Sequence, residues 1–278
     1  MPFTMSRARS VMVKGRLYVG GGEADTDEER CTVMVYDERG GWSRLPRYHA
    51  RYFGMAVLNN QLILAGGQVT SNYKTTNWLT VWDTQEWTYP YPPMYTPREC
   101  PALAAHNKWL IAAGGYDGGG YLTACEIMDG SIKQWFSASP LPVGCTDMTS
   151  AIIEDELYLM GGDPSSKQVL SVSLSSITSP SISQVLWRNL PDTPFESSAA
   201  FAFHGSLLAV GGTNNNLTRT SAIHAYKPES EKWVKIGDLP TKRSSCTCTL
   251  LPSGKIIIAG GYDSNANRIS QVDLATVL

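Results

Sequence analysis

Apolar residues in this chain come in short runs, and six of the runs end in a glycine doublet: 17–22 (LYVGGG), 62–67 (LILAGG), 110–115 (LIAAGG), 157–162 (LYLMGG), 207–212 (LLAVGG) and 256–261 (IIIAGG). The first glycines of the aligned doublets are Gly21, Gly66, Gly114, Gly161, Gly211 and Gly260, at steps of 45, 48, 47, 50 and 49 residues. Self-similarity at that period marks a chain built from repeated supersecondary units. Trp42, Trp87 and Trp135 each follow their doublet by 21 residues, Trp233 by 22 and Trp187 by 26, and a proline comes soon after each. Between doublet and tryptophan lies a short run of strand-forming residues, often closed by an acid, as at 33–37 (VMVYD), 79–83 (LTVWD) and 124–129 (ACEIMD). Each unit therefore reads as four short strands, A to D. Strand B runs into the doublet, strand C ends near the acid and strand D starts at the tryptophan.

The residue types have physical reasons. Two glycines in succession let strand B leave its sheet through dihedrals closed to other residues. Tryptophan buries a large area and can pin one sheet to the next. Asn59-Asn60, His106-Asn107, His204-Gly205 and Ser253-Gly254 are turn-forming pairs between strands A and B. A lone four-stranded sheet leaves both faces wet, whereas sheets stacked radially around an axis cover them.

The recurring doublet, YD-like ending and tryptophan resemble the kelch-repeat family, over nearly the whole chain. The resemblance implies an all-β, six-bladed β-propeller with four antiparallel strands per blade. The expected organisation is one domain, 1–278, with repeats at about 5–46, 51–92, 98–142, 146–191, 196–240 and 243–278. The sixth unit ends before its tryptophan, so it is expected to lack its outermost strand unless 274–278 (LATVL) takes that role. The chain then reads as a module of a longer polypeptide. Blade four has a long C–D connection from Ser173 to Gln184, rich in Ser, Thr and Pro, read as a surface insertion.

Composition narrows the partners. A net charge of −2 argues against non-specific nucleic-acid binding, and no apolar stretch is long enough to span a bilayer. Residues 1–19 lack the apolar core of a signal peptide. The six cysteines make no CxxC pair and read as small buried residues in a reducing, cytoplasmic or otherwise intracellular setting. The four histidines fall at unrelated repeat positions, so neither a metal site nor another cofactor is expected.

Strand order puts the D–A and B–C loops on one face of the disc. The resemblance implies a binding face there. Arg7, Arg9, Arg51, Arg98 and Arg243 lead into strand A of blades one, two, three and six, which are consecutive around a ring. With Tyr52, Tyr116 and Tyr262 they form the candidate partner-binding set, since Arg and Tyr are interaction hot-spot residues. A basic half-face would receive a peptide or loop carrying Asp or Glu, gripped bidentately. Bracing of neighbouring loops is the competing role for these arginines. The acidic run 25–29 would screen them, repel acidic partners, or stand as a solvated loop. No catalytic residue is assigned. Six-bladed relatives that act as sialic acid mutarotases suggest an enzymatic alternative in which Arg51, Arg98 and Glu196 share a pocket, and a cytoskeletal cross-linking role is the other alternative. The main expectation is a monomeric, non-enzymatic protein-interaction module, such as the substrate-recognition part of a ubiquitin-ligase adaptor.

Overall fold

In the computed structural model, which describes residues 1–175, 177 and 186–275, the six repeats form six antiparallel sheets arranged as the blades of a propeller. Strands A to D are Arg9–Val13, Arg16–Gly20, Met34–Asp37 and Gly41–Arg44 in blade one, and Gly54–Leu58, Gln61–Ala65, Leu79–Trp82 and Trp87–Thr88 in blade two. Blade three has Ala102–His106, Trp109–Ala113, Cys125–Asp129 and Gln134–Ala138; blade four has Thr149–Ile153, Glu156–Met160, Val169–Ser173 and Arg188–Leu190. Blade five has Ala199–Phe203, Ser206–Val210, Ala222–Lys227 and Lys232–Asp238. Blade six has three strands among the described residues, Thr247–Leu250, Ile256–Ala259 and Val272–Ala275. Leu274 and Ala275 thus belong to strand C of blade six, paired with Ile257 and Ile256, rather than to an outermost strand. The inserted C–D connection of blade four falls largely outside the described residues.

The core lies between blades rather than within them. Six apolar clusters each combine residues of two neighbouring blades, one cluster at every junction of the ring. The junction between blades six and one gathers Phe3, Met5, Leu17, Val19 and Met34 with Leu251 and Ile257. The N-terminal residues therefore close the ring by packing on blade six, where Met5 N–H donates to Ile269 and its carbonyl accepts from Gly261. Strands A line a central channel of about 340 Å³, walled mostly by small side chains such as Ala56, Ala104, Ala151 and Ala200.

The doublets explain the close fit of the loops. Gly66 and Gly67 have φ of 68° and 107°, and a Cβ on Gly66 would stand 2.2 Å from the Arg98 carbonyl oxygen. No side chain fits there. The second glycine donates its N–H across the junction, Gly67 to Arg98, Gly115 to Cys145 and Gly212 to Arg243. These doublets, with Gly261 donating to Met5, fasten their blades to the segment leading into the next.

Candidate functional site

Three consecutive positions lead into strand A of every blade, and they have different surroundings. In chain order, the first is Arg98 in blade three and Arg243 in blade six. Both are buried completely. Arg98 donates from Nη1 to the carbonyls of Gly114 (2.6 Å) and Ala124 (2.8 Å) and from Nη2 to the Glu126 carboxylate. Glu126 also accepts from the backbone N–H of Tyr95 and Thr96. Arg243 repeats the arrangement on Gly260, Gln271 and Asp273. The expectation that Arg98 and Arg243 meet a partner is corrected here: each is consumed in tying its own doublet to strand C. A buried guanidinium is held where its charge is matched, and these carbonyls and carboxylates match the charge and the Nη donors of both arginines, while Arg243 Nε finds no partner among the described residues.

The second position lies on the rim and pairs with the residue after the doublet. These pairs are Ser6 with Glu23, Arg51 with Gln68, Glu99 with Tyr116, Thr146 with Asp163, Glu196 with Thr213 and Ser244 with Tyr262. Arg51 donates to Asp27 Oδ1 at 2.7 Å and to Gln68 Oε1, and Gln68 passes the chain on to Glu99 at 2.9 Å. The rings of Tyr52 and Tyr73 flank its guanidinium at 5.1 and 5.5 Å. The acidic run folds as a single helical turn, Asp27–Arg30, capped by Thr26 and Glu29. Hydrogen bonding from Arg30, then the charge of Arg51, holds Asp27 below the usual carboxylate range. Asp27 is thus paired with both Arg30 and Arg51.

The third position forms the channel mouth. Arg7, Tyr52, Cys100, Asp147, Ser197 and Ser245 all have φ between 47° and 60°. Such left-handed backbone in non-glycine residues is uncommon, and here it recurs in all six blades. It aligns backbone groups around the axis: Cys100 N–H donates to Tyr52, Asp147 to Cys100, Ser245 to Ser197 and Arg7 to Ser245. Arg7 and Arg9 of blade one reach Asp147 of blade four, the blade opposite, at 3.4 and 3.2 Å, and Arg7 also lies 3.6 Å from Asp163. These ion pairs bridge the mouth and divide it. On one side is a cavity of about 390 Å³ lined by Tyr52, Tyr116 and Tyr121 with Glu23, Glu99 and Cys100. On the other is a smaller one, about 50 Å³, beside Ser197, Ser198 and Ser245.

Several contributors were not read from the sequence. Tyr121 stacks 6.0 Å from Tyr116. Tyr262 lies between the guanidinium groups of Arg219 and Arg268, at 5.7 and 5.8 Å, away from the tyrosines of the larger cavity. Arg268 pairs with Glu23 and Asp25, whereas Arg219 bonds the Ser244 hydroxyl and has no carboxylate pair among the described residues. The expected basic half-face is thus largely neutralised by its own acids, and Arg7, 42% exposed in its side chain, remains the most open of the candidate arginines. Arg51, Arg98 and Glu196 do not share a pocket, because Arg98 is enclosed within blade three. No cluster of three His, Cys, Asp or Glu side chains able to hold a metal occurs among the described residues.

All six cysteines are free thiols, five of them buried. Burial pushes Cys125, Cys145 and Cys246 up to about 11, and Cys100 at the mouth well above its ordinary value. A thiol of that acidity is about 0.1% thiolate at pH 8. Native protein titrated with a disulfide reagent at pH 8 is expected to show no fast-reacting thiol, and all six after unfolding. One fast thiol mapped to Cys100 would contradict this account of the mouth.

Comparison with known proteins agrees with this architecture. The solved structure of YjhT superposes with a TM-score of 0.78 over 100% of this chain and 96% of that one, at 15% identity, a likeness of fold. Kelch-like protein 35 of Mus musculus is 26% identical over 82% of this chain and 38% of its own length. Kelch-like protein 38 of Homo sapiens is 24% identical over 87% and 41%, and Beta-scruin of Limulus polyphemus 23% identical over 86% and 28%. The chain thus spans about two fifths of the kelch-like relatives it matches. The family model described as the KLHDC2/KLHL20/DRC7 Kelch-repeats domain matches residues 54–261. Three quarters of the sequence fall in that match, and the chain belongs to the kelch-repeat family.

Proposed function

We propose that this chain is a non-enzymatic protein-interaction propeller that receives a segment of a partner protein in the tyrosine-walled half of its channel mouth. The observation that carries this reading is the division of the mouth by Arg7, Arg9 and Asp147, which leaves a cavity of about 390 Å³ beside three tyrosines. Tyrosine supplies large contact area at small entropic cost, and a concave site of this size takes one or two side chains of a docking loop. Resemblance to kelch-like proteins supports the choice of a protein partner.

An acidic residue on the partner would meet Arg7 by displacing Asp147 or Asp163, so the preference for Asp or Glu rests on one open guanidinium rather than on a basic field. We place the chain inside the cell on the strength of its free thiols and read it as one monomeric domain from its unbroken ring of blades. No helix among the described residues is long and apolar enough to cross a membrane. As part of a longer kelch-like protein, the propeller would select substrates for a ubiquitin ligase.

The test is affinity capture from a cell lysate with the parent chain, with Tyr52→Ala/Tyr116→Ala, and with Arg7→Ala. Each truncated hot-spot side chain is expected to cost about 2 kcal/mol of binding, near thirtyfold in Kd. A partner retained equally by all three proteins would overturn the assignment. Acidity is read separately: if the segment is acidic, raising the salt weakens binding to the parent far more than binding to Arg7→Ala.

A further inference from the structure

Glu99 stands apart from the other acids of the channel mouth. Asp147 pairs with Arg7 and Arg9, and Glu23 pairs with Arg268. Glu99 is only 7% exposed, yet it forms no ion pair among the described residues. Its Oε1 accepts from Gln68 Nε2 at 2.9 Å and from Thr75 Oγ1 at 2.8 Å, while no donor among the described residues reaches its Oε2. Arg51, on the far side of Gln68, pairs instead with Asp27 at 2.7 Å. A carboxylate so enclosed, with two neutral donors on one oxygen, is short of positive charge, because removal from water costs an anion heavily unless it is paired.

This carboxylate lines the larger cavity of the mouth, about 390 Å³, together with Tyr52, Tyr116 and Tyr121. Two backbone bridges hold that wall in place. Glu99 and Tyr116 exchange hydrogen bonds at 2.8 and 3.0 Å, and Tyr116 pairs in turn with Tyr121. Thr146, also 7% exposed, lines the same cavity, and its buried Oγ1 has no partner among the described residues. Arg7 lines the cavity too, but it faces Asp147 and Asp163 at 3.4 and 3.6 Å. Aromatic rings, an unmatched carboxylate and a spare hydroxyl share one complement, a cation carried on an apolar stem. Tyrosine rings attract cations through the quadrupole of their faces and pack well against methylene chains.

We infer that this cavity takes a lysine side chain of the docked segment, with its ammonium on Glu99 Oε2 and its stem along the tyrosines. The inference rests on the docking reading above and adds the chemistry of the anchor. Lysine fits better than arginine for a geometric reason. A guanidinium fork grips both oxygens of a carboxylate, and Glu99 Oε1 already accepts two bonds. An ammonium is a point charge that needs one oxygen, and the Thr146 hydroxyl offers it a second acceptor. A metal ion fits poorly, because no three metal-binding side chains converge among the described residues. A lysine on Glu99 and an acid on Arg7 are separate contacts of one segment, so the anchor does not depend on the acid.

The probe is Nα-acetyl-lysine N-methylamide, titrated into the whole isotopically labelled protein and followed by amide NMR. Saturable shifts are expected at Glu99, Tyr116, Tyr121 and Thr146. The norleucine analogue keeps the stem without the charge and should bind about tenfold more weakly, as should the glutamate analogue. Glu99→Gln should weaken the lysine probe by the same factor. It keeps an acceptor for Gln68 and Thr75, and an unchanged Tm reports that its fold is intact. Absence of saturable shifts, equal binding of the lysine and norleucine probes, or full affinity in folded Glu99→Gln would overturn the inference. Capture from lysate keeps the two readings apart. If the lysine probe fails while Tyr52→Ala/Tyr116→Ala still loses its partner, the docking reading stands and the lysine anchor falls. If that double variant and Glu99→Gln both retain the partner, both readings fall.

Discussion

Replacing Arg98 with alanine is expected to destabilise the propeller by about 3–5 kcal/mol, because it strands a buried carboxylate. Glu126 keeps its two backbone donors from Tyr95 and Thr96 but loses its only cation, and the carbonyls of Gly114 and Ala124 lose theirs. Urea unfolding of Arg98→Ala measures this directly, provided the slope stays constant. Pairing the change with Glu126→Leu should recover part of the loss, since removing both charges avoids an unmatched one. Partner capture per folded molecule should stay at the parent level. A stable Arg98→Ala that loses its partner would return this residue to the binding face.

That prediction reverses the role first read for Arg98, and the reason lies in register. The candidate arginines fall at different distances before their doublets: Arg98 and Arg243 at the first of the lead-in positions, Arg51 at the second and Arg7 at the third. Read as a class, they suggest one basic face; read by position, they divide into braces, rim and mouth. A sequence signal for the braces was present. Strand C carries an acid at its second position in blades three and six, Glu126 and Asp273, where the other blades have Met34, Thr80, Leu170 and His224. Acid and arginine therefore occur in the same two blades, 28 and 30 residues apart.

The fold was far more legible than the site. Doublets and tryptophans recur at fixed intervals because each answers a local steric demand that every blade repeats. Blade number and strand order follow from that periodicity, whereas the packing of Phe3 and Met5 on blade six does not. The mouth depends instead on contacts across the ring, such as Arg7 and Arg9 with Asp147, about 140 residues away in the chain. No local pattern encodes a pair that meets only when opposite blades face each other. Tyr121 was missed for a related cause: it lies beyond the glycine run 118–120, outside the repeated doublet, acid and tryptophan positions.

The tryptophans give the register its sharpest test. Trp135 is 2% exposed, sits in the cluster joining blades two and three, and donates its indole N–H to Pro92 at 2.9 Å. Trp135→Ala should therefore destabilise by about 3–5 kcal/mol through the cavity it leaves. It also leaves the Pro92 carbonyl without this donor. Trp42 has the same place in blade one but is half-buried, packs on Tyr36 at 5.1 Å and donates to no carbonyl among the described residues. Its removal should cost markedly less, about 1–2 kcal/mol, because less apolar area is given up and no hydrogen bond is lost. Side-by-side urea unfolding of the two variants reads the difference. Equal losses would mean that the junction between blades six and one is already sealed by a strand, and a negligible loss for Trp135→Ala would mean that the tryptophans do not join the blades.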